Sequence, residues 1–467
     1  MTFRVLPGML CAAGLMLSSC AVTHVEPPRR STPPEAFRET GLWQRASAAE
    51  TVPVPDRWWT LFKDRLLDEL QAQLIIGNET LKASVARIAA ARATLEASRS
   101  GQLPTLAAVL AAGRSETPGV AAGAKNPANS VTLTGSASWE LDLWGRLSQA
   151  VSGAEATFQA SAHDLAAARL STQALLAQTY FSLRAAEAQL LLLERSTAAY
   201  ARALALTHAR YDSGVAARID VLQAQTQLNT ARAQIAEVSA QRAVFEHAIA
   251  VLLGLPPSSI AIERSASLPS VPAVPEMLPS TLLQRRPDIV AAQRRVAAAY
   301  AQIGVADAAF FPALTLSAGL GYRNSAIADL VRAPNLFWSL GSSLAQPIFD
   351  GGQRQFASAQ ARAAADLATA TYRQTVLTAL QEVEDNLVLA DQLGREAGYQ
   401  AQAVQAAQHS LEIVLDQYRA GTVSYFNVTI TQNAALSTES SLLSTRNRQL
   451  AATNLLLKNI AGSWDAR

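Results

Sequence analysis

The chain of 467 residues carries 39 basic and 37 acidic side chains, a net charge of +2. Apolar residues make up 49% and charged residues only 16%, which excludes disorder over most of the length and excludes the basic balance of a nucleic-acid binder. Aromatics are scarce at 6%, a composition that suits long, closely packed helices better than a thick globular core.

Residues 1–19 read as a secretory signal: Arg4, an apolar run from Val5 to Leu17, then small residues. The segment Leu17-Ser18-Ser19-Cys20 resembles a bacterial lipobox. That resemblance implies cleavage before Cys20 and a covalent lipid on Cys20; Ala21, not Asp, follows it, so inner-membrane retention is not signalled. Cys11 and Cys20 are the only cysteines, so the body of the chain has no disulfide framework or cysteine metal site. Residues 20–56 are rich in proline and polar side chains, as expected of an extended leash. No later segment offers 18 uninterrupted apolar residues, so a membrane crossing would require a closed β-barrel.

The rest of the chain repeats itself with a period of about 207 residues, as Tyr211 and Tyr418 mark. Tyr211-Asp212-Ser213-Gly214-Val215 recurs as Tyr418-Arg419-Ala420-Gly421-Thr422. Leu103-Pro104-Thr105-Leu106 recurs as Phe311-Pro312-Ala313-Leu314, and Leu143-Trp144-Gly145-Arg146 loosely as Phe349-Asp350-Gly351-Gly352. Two repeats are predicted, residues 57–260 and 261–467, each reading helix, strand, loop, strand, very long helix, tight turn, long helix. A period this long means duplication of a whole unit, not a solenoid of short modules.

Strands are predicted near residues 103–113, 131–143, 311–323 and 337–349. In the second, Val131, Leu133, Ala137, Trp139 and Leu141 alternate with Thr132, Thr134, Ser136, Ser138 and Glu140. In the third, Leu314, Leu316, Ala318, Leu320 and Tyr322 alternate with Thr315, Ser317, Gly319, Gly321 and Arg323. Such alternation gives one apolar and one polar face, and about ten residues is the length a tilted strand needs to cross a bilayer. A half-buried strand in a soluble sandwich would read the same way. Trp139, Tyr322 and Trp338 suit an interfacial aromatic belt. Four strands cannot close a membrane barrel, whose smallest members have about eight, so several copies must contribute.

Helical hairpins are predicted over 146–252 and 353–461. From Arg146 to Tyr211 there is no proline, and a helix of that length reaches about 100 Å. The row Leu183, Ala186, Leu190, Leu193, Thr197, Tyr200, Leu204, Thr207, Tyr211 steps 3-4-3-4, a coiled-coil spacing. Arg169, Arg184, Glu187, Glu194 and Arg195 read as its solvated flanks. Gly214 and Gly421 supply the positive φ of a helix C-cap.

Catalytic chemistry has no foothold. The five histidines do not pair at metalloprotease spacing, and there is no phosphate loop, dinucleotide fingerprint or nucleophile elbow. No enzyme activity, catalytic residue, metal or cofactor is expected, apart from the covalent lipid. The four methionines do not cluster, which weighs against a copper or silver duct.

Taken together, several segments resemble the TolC-like outer-membrane efflux family in its lipoprotein (OprM/NodT-type) branch. They are Leu17–Cys20, the duplicated Tyr-x-x-Gly turns, Trp139–Arg146, Arg286-Pro287-Asp288-Ile289, Phe310-Phe311-Pro312 and Gln346–Gly352. The resemblance implies a mainly α fold with a β-barrel: a homotrimer in which four strands per chain make a twelve-stranded barrel in the outer membrane, and antiparallel coiled-coil hairpins make an α-barrel through the periplasm. It implies the exit duct of a tripartite pump, joined to a periplasmic adaptor (membrane fusion) protein and an inner-membrane RND-type transporter, with no nucleic-acid partner. Multidrug resistance is the expected role. The same duct serving ABC-driven protein secretion is one alternative; a periplasmic coiled-coil scaffold without a channel is another.

In that family the turns form periplasmic tips that meet the adaptor and pinch the channel shut. The implied adaptor-docking residues are Tyr211, Gly214, Val215, Gly421 and Thr422. The implied gate bond of relatives falls on Tyr418 and Asp220, with Arg419 and Asn427 beside it. Where relatives place a ring of acids this chain has Asn427 and Ile430, so the cation-binding ring is in question. Asp220 read locally is an ordinary first-turn acid favoured by the helix dipole.

Overall fold

A computed structural model describes residues 37–39, 57–116, 127–265, 267–274 and 286–460. Cys20, the signal segment and most of the leash lie outside the described residues. The chain divides into two compact units.

The first unit comprises Ala86–Ala162 and Ala291–Arg373. It holds one antiparallel sheet of four strands in the order β1-β2-β3-β4: β1 Thr105–Ser115, β2 Ala128–Leu141, β3 Ala313–Asn324 and β4 Leu336–Ala345. Bounds differ from the sequence expectation by a few residues, for local reasons. β2 stops at Leu141 because Asp142 leaves the ladder: its carboxylate accepts the amides of Leu147 (3.0 Å) and Ser148 (2.7 Å) and so caps the next helix. β4 stops at Ala345, four residues short of expectation, ahead of Gln346 and Pro347, where proline has no amide for a ladder. Asp350 repeats the capping device, accepting from the amides of Gly352 (3.0 Å) and Arg354 (3.2 Å). Asp350 is therefore the capping counterpart of Asp142 in the second repeat.

Two of these strands lead into very long helices. With α1 spanning Arg65–Gly77 and α2 spanning Glu79–Ser100, α3 runs Arg146–Asp212 and α4 Arg218–Leu252. After α5 (Pro287–Ala308) the second hairpin is α6, Gln353–Ala420, and α7, Tyr425–Ile460. In the first unit small residues let helices approach: a Cβ on Gly153 of α3 would lie 3.4 Å from that of Ala301 of α5. Asp307 of α5 accepts from Ser358 and Arg362 of α6, each at 2.7 Å.

The second unit holds 57–85, His163–Val290 and the chain from Gln374. Its largest core gathers Trp58, Phe62, Leu67, Leu74, Leu176, Phe181, Ile249 and Leu456. The Phe62 and Phe181 rings meet at 4.7 Å. Phe37 joins this core, and the amides of Arg38 and Glu39 donate to the Glu384 carboxylate at 2.8 and 2.9 Å. One sequence expectation is overturned here. Arg184 and Glu187 are buried, not solvated. Arg184 bonds Glu187 at 2.6 Å and the Glu263 carbonyl at 2.9 Å, while Arg242 bonds Glu187 at 3.0 Å and the Ile262 carbonyl at 2.6 Å. A strap between the repeats covers that flank, which no helical period could reveal. Glu194 and Arg195 do remain exposed.

Candidate functional site

Two features stand out, the faces of the sheet and the turns of the hairpins. Residues paired directly across antiparallel strands share a face. The register pairs Leu110 with Leu133, Leu133 with Tyr322, Ala137 with Ala318, Trp139 with Leu316, and Leu320 with Trp338. Thus most of the large apolar side chains of the four strands fall on one face; Val109 and Phe337, opposite Thr134 and Gly321, stand on the other. On the edge strands the members of the apolar face stand open: Leu106 is 83% exposed, Trp338 75% and Leu340 78%, while Leu133, Leu316 and Tyr322 of the inner strands are half-buried. The other face carries Thr134, Ser136, Ser317, Gly319, Ser339 and Gly341. Among the described residues β1 and β4 each pair with one neighbour only, so the sheet ends there in two open edges. No helix among the described residues is long and apolar enough to cross a membrane.

Both hairpin turns use the same chemistry. Gly214 donates to Tyr211 O (2.9 Å) and Val215 to Arg210 O (2.9 Å). Gly421 donates to Tyr418 O (3.0 Å) and Thr422 to Gln417 O (3.0 Å). These are Schellman pairs, and both glycines sit at φ near +78°, at +77° and +79°, where a side chain would be strained.

The sequence-derived residues at the turns divide. Tyr418 is buried; its hydroxyl meets Thr207 Oγ1 at 3.0 Å and its ring meets that of Tyr425 at 5.5 Å. Asp220 caps its own helix, accepting the Ala217 amide at 3.3 Å. Arg419 pairs with Asp416 of its own helix at 2.8 Å. Tyr211, Val215, Thr422 and Asn427 are exposed. Hence Asp220 and Tyr418, the pair implied by resemblance, each hold a different partner within the chain. Asp220 shares a face of α4 with Ala224, one turn on, which packs with Tyr425 and Val428. Burial pushes the Tyr425 hydroxyl up to about 12, and Tyr418, Tyr200 and Asp220 add to the shift.

Sequence reasoning missed Thr207's pairing, Arg210 and Tyr425. Arg210 Nη1 donates to the Tyr418 carbonyl, and its guanidinium lies 4.8 Å from the Tyr418 ring centre. A comparison of the two repeats held the signal. At the same offset Arg210 faces Gln417, Arg218 faces Tyr425 and Asp220 faces Asn427, so the turns are alike in backbone and unlike in side chains. Among the described residues no cluster of His, Cys, Asp or Glu could hold a metal ion.

A sheet with one mainly apolar face, in a chain whose helices of 67 and 68 residues each turn back through one of 35 or 36, is the make-up of an outer-membrane channel subunit. The family model of outer membrane efflux proteins matches residues 70–255 and 278–462, and the chain belongs to that family. It is 30% identical over 465 residues to the pyoverdine export outer membrane protein OpmQ of Pseudomonas aeruginosa, covering 98% of this chain and 97% of that one. The toluene efflux pump outer membrane protein TtgF of Pseudomonas putida is 30% identical over 411 residues, 87% and 85% of the two chains. Among solved structures, the outer-membrane channel OprN superposes with a TM-score of 0.87 at 29% identity, over 94% of this chain and 99% of that one. The protein is thus an outer-membrane efflux protein with the TolC-type fold.

Proposed function

We propose that the protein is the exit duct of a tripartite efflux pump, passively conducting small toxic molecules from periplasm to exterior. The observation that carries this is the sheet: an exposed apolar face with an open edge on each side. Unpaired backbone groups cannot face lipid, so copies of the chain pair edge to edge, three of them closing a twelve-stranded barrel. The repeats 57–260 and 261–467 then each supply one hairpin of strands and one of helices. Cys20 carries the lipid that tethers the leash.

The turns bearing Asp220, Tyr418, Arg419 and Asn427 close the conduit at rest. Tyr211, Gly214, Val215, Gly421 and Thr422 meet a periplasmic adaptor, which opens it for an RND-type transporter. Exposed Val215, Ile219, Phe426 and Ile430 beside these turns support an apolar docking surface. Two relatives are named for pyoverdine and toluene, which supports small-molecule cargo over protein secretion. The duct itself performs no chemistry.

Deletion of the gene, alone and with its adaptor and transporter partners, tests the reading. Increased and non-additive susceptibility to toxic small molecules is expected; unchanged susceptibility together with a stably monomeric purified chain would end it. For the gate, Asp220→Ala should raise resting conductance in planar bilayers, and an unchanged value removes Asp220 from it.

A further inference from the structure

The two turns share a backbone motif, yet only the second is gripped from outside. The Tyr418 carbonyl, already accepting from Gly421, also accepts from Arg210 Nη1. The Arg210 guanidinium lies over the Tyr418 ring at 4.8 Å. Thr207, three residues earlier and so on the same face of α3, takes the Tyr418 hydroxyl at 3.0 Å. Two side chains of the first hairpin therefore hold the carbonyl, ring and hydroxyl of one residue of the second.

No reverse grip is open to the duplicated positions. The counterparts of Arg210 and Thr207 are Gln417 and Val414, and Tyr211, the counterpart of Tyr418, is 40% exposed. Room for the grip comes from Gly421: a Cβ there would lie 3.3 Å from Arg210 Nη2. Backbone and side chain of Arg210 thus serve different turns. Its carbonyl closes the first, accepting from Val215 and Ala216 at 2.9 and 3.1 Å, and its guanidinium closes the second.

We propose that Arg210 is the positioning residue that ties the two turns of one chain together in the resting state, so that the second turn moves only after Tyr418 is released. This rests on the reading of the turns as the channel's gate. The chemistry favours arginine. Carbonyls at a helix C-terminus carry partial negative charge, and a guanidinium meets them with several donors in a rigid fork while stacking on an aromatic face. Arg419 cannot substitute, because its partner Asp416 is on its own helix.

The test uses the full-length protein in planar bilayers. Arg210→Ala is expected to raise the resting open fraction by about tenfold, the size of one lost charge-assisted hydrogen bond. Arg210→Lys should recover part of the closure, and Arg202→Ala, an exposed arginine two turns earlier, should match the unaltered protein. Spin labels at Val215 and Ser424 give a second reading, since the distance distribution should broaden in Arg210→Ala. An unchanged open fraction with an unchanged distribution overturns the proposal. An unaltered protein that never conducts overturns the channel reading instead, while the label distances still decide the tie. If Arg210→Ala does not fold, Arg210→Gln, which keeps a donor without the charge, is judged by the same two outcomes.

Discussion

Gly77 and Gly254 meet backbone to backbone in the second unit. The Gly77 carbonyl occupies the place a Gly254 side chain would take, and the Leu253 carbonyl occupies that of Gly77. Asn78 Nδ2 bonds the Leu252 carbonyl at 2.7 Å and fixes the approach. Gly254 also sits at φ +73°. Gly254→Ala should therefore lower thermal stability by roughly 2 kcal/mol or more, combining a forced backbone shift with left-handed strain. Gly398, inside α6 with nothing within 4 Å of an added Cβ, is the contrast: Gly398→Ala should stabilise by about 0.5–1 kcal/mol. Calorimetric melts of both variants check the pair, and a loss of equal size at both sites would contradict it.

Trp144 joins the two repeats in the first unit. Its Nε1 donates to the Pro312 carbonyl at 2.7 Å, and its ring stacks on Phe311 at 5.0 Å. Trp144→Phe keeps much of the stack but orphans the carbonyl, which should cost about 1 kcal/mol. Denaturant melts in detergent would show it.

Acid should loosen the second unit at Arg286. Burial alone would raise the Asp288 carboxyl, but hydrogen bonding and charge from Arg286, with the Ile289 amide and Lys458, hold it below the usual carboxylate range. Arg286 bonds Asp288 at 2.6 Å and Glu382 at 2.8 Å. A carboxyl lowered in the fold adds stability above its unfolded pKa of about 3.9, and that contribution is lost as pH falls through the lower folded value. Asp288→Asn should thus flatten the acid limb of the stability curve below about pH 4, with neutral-pH stability reduced. An unchanged acid limb in melts across that range would remove Asp288 from the effect.

Cations should leave the resting channel alone. Asn427 and Ile430 are exposed beside the second turn and carry no charge, so copies of the chain have no carboxylate at these positions from which to assemble a ring. Asn427→Asp should create one, and a trivalent cation that leaves the resting conductance of the unaltered channel unchanged should then lower that of the variant. Block of the unaltered channel at equal concentration would contradict this.

The candidate site was only half legible before folding. The turns themselves could be placed, because Gly214 and Gly421 cap their helices through bonds reaching no more than six residues. The partner of Tyr418 could not. Its implied bond to Asp220 competes with Thr207, 211 residues away in sequence, and with Asp220's own cap at Ala217. Charge on a helix flank likewise says nothing of what covers it: Arg184 and Glu187 look like solvated residues until Ile262 and Glu263 pass over them.

Local order fixed much of this molecule in advance. Alternation along Val131–Leu141 and Leu314–Tyr322 determines which side chains share a face, and proline-free runs determine helices of 67 and 68 residues, since both signals need only neighbours along the chain. Folding alone decided that Arg210 closes a turn it does not belong to, that Gly77 needs Gly254, and that a strap buries an ion pair. Those outcomes turn on which surfaces meet across hundreds of residues, and a one-dimensional period carries no information about that.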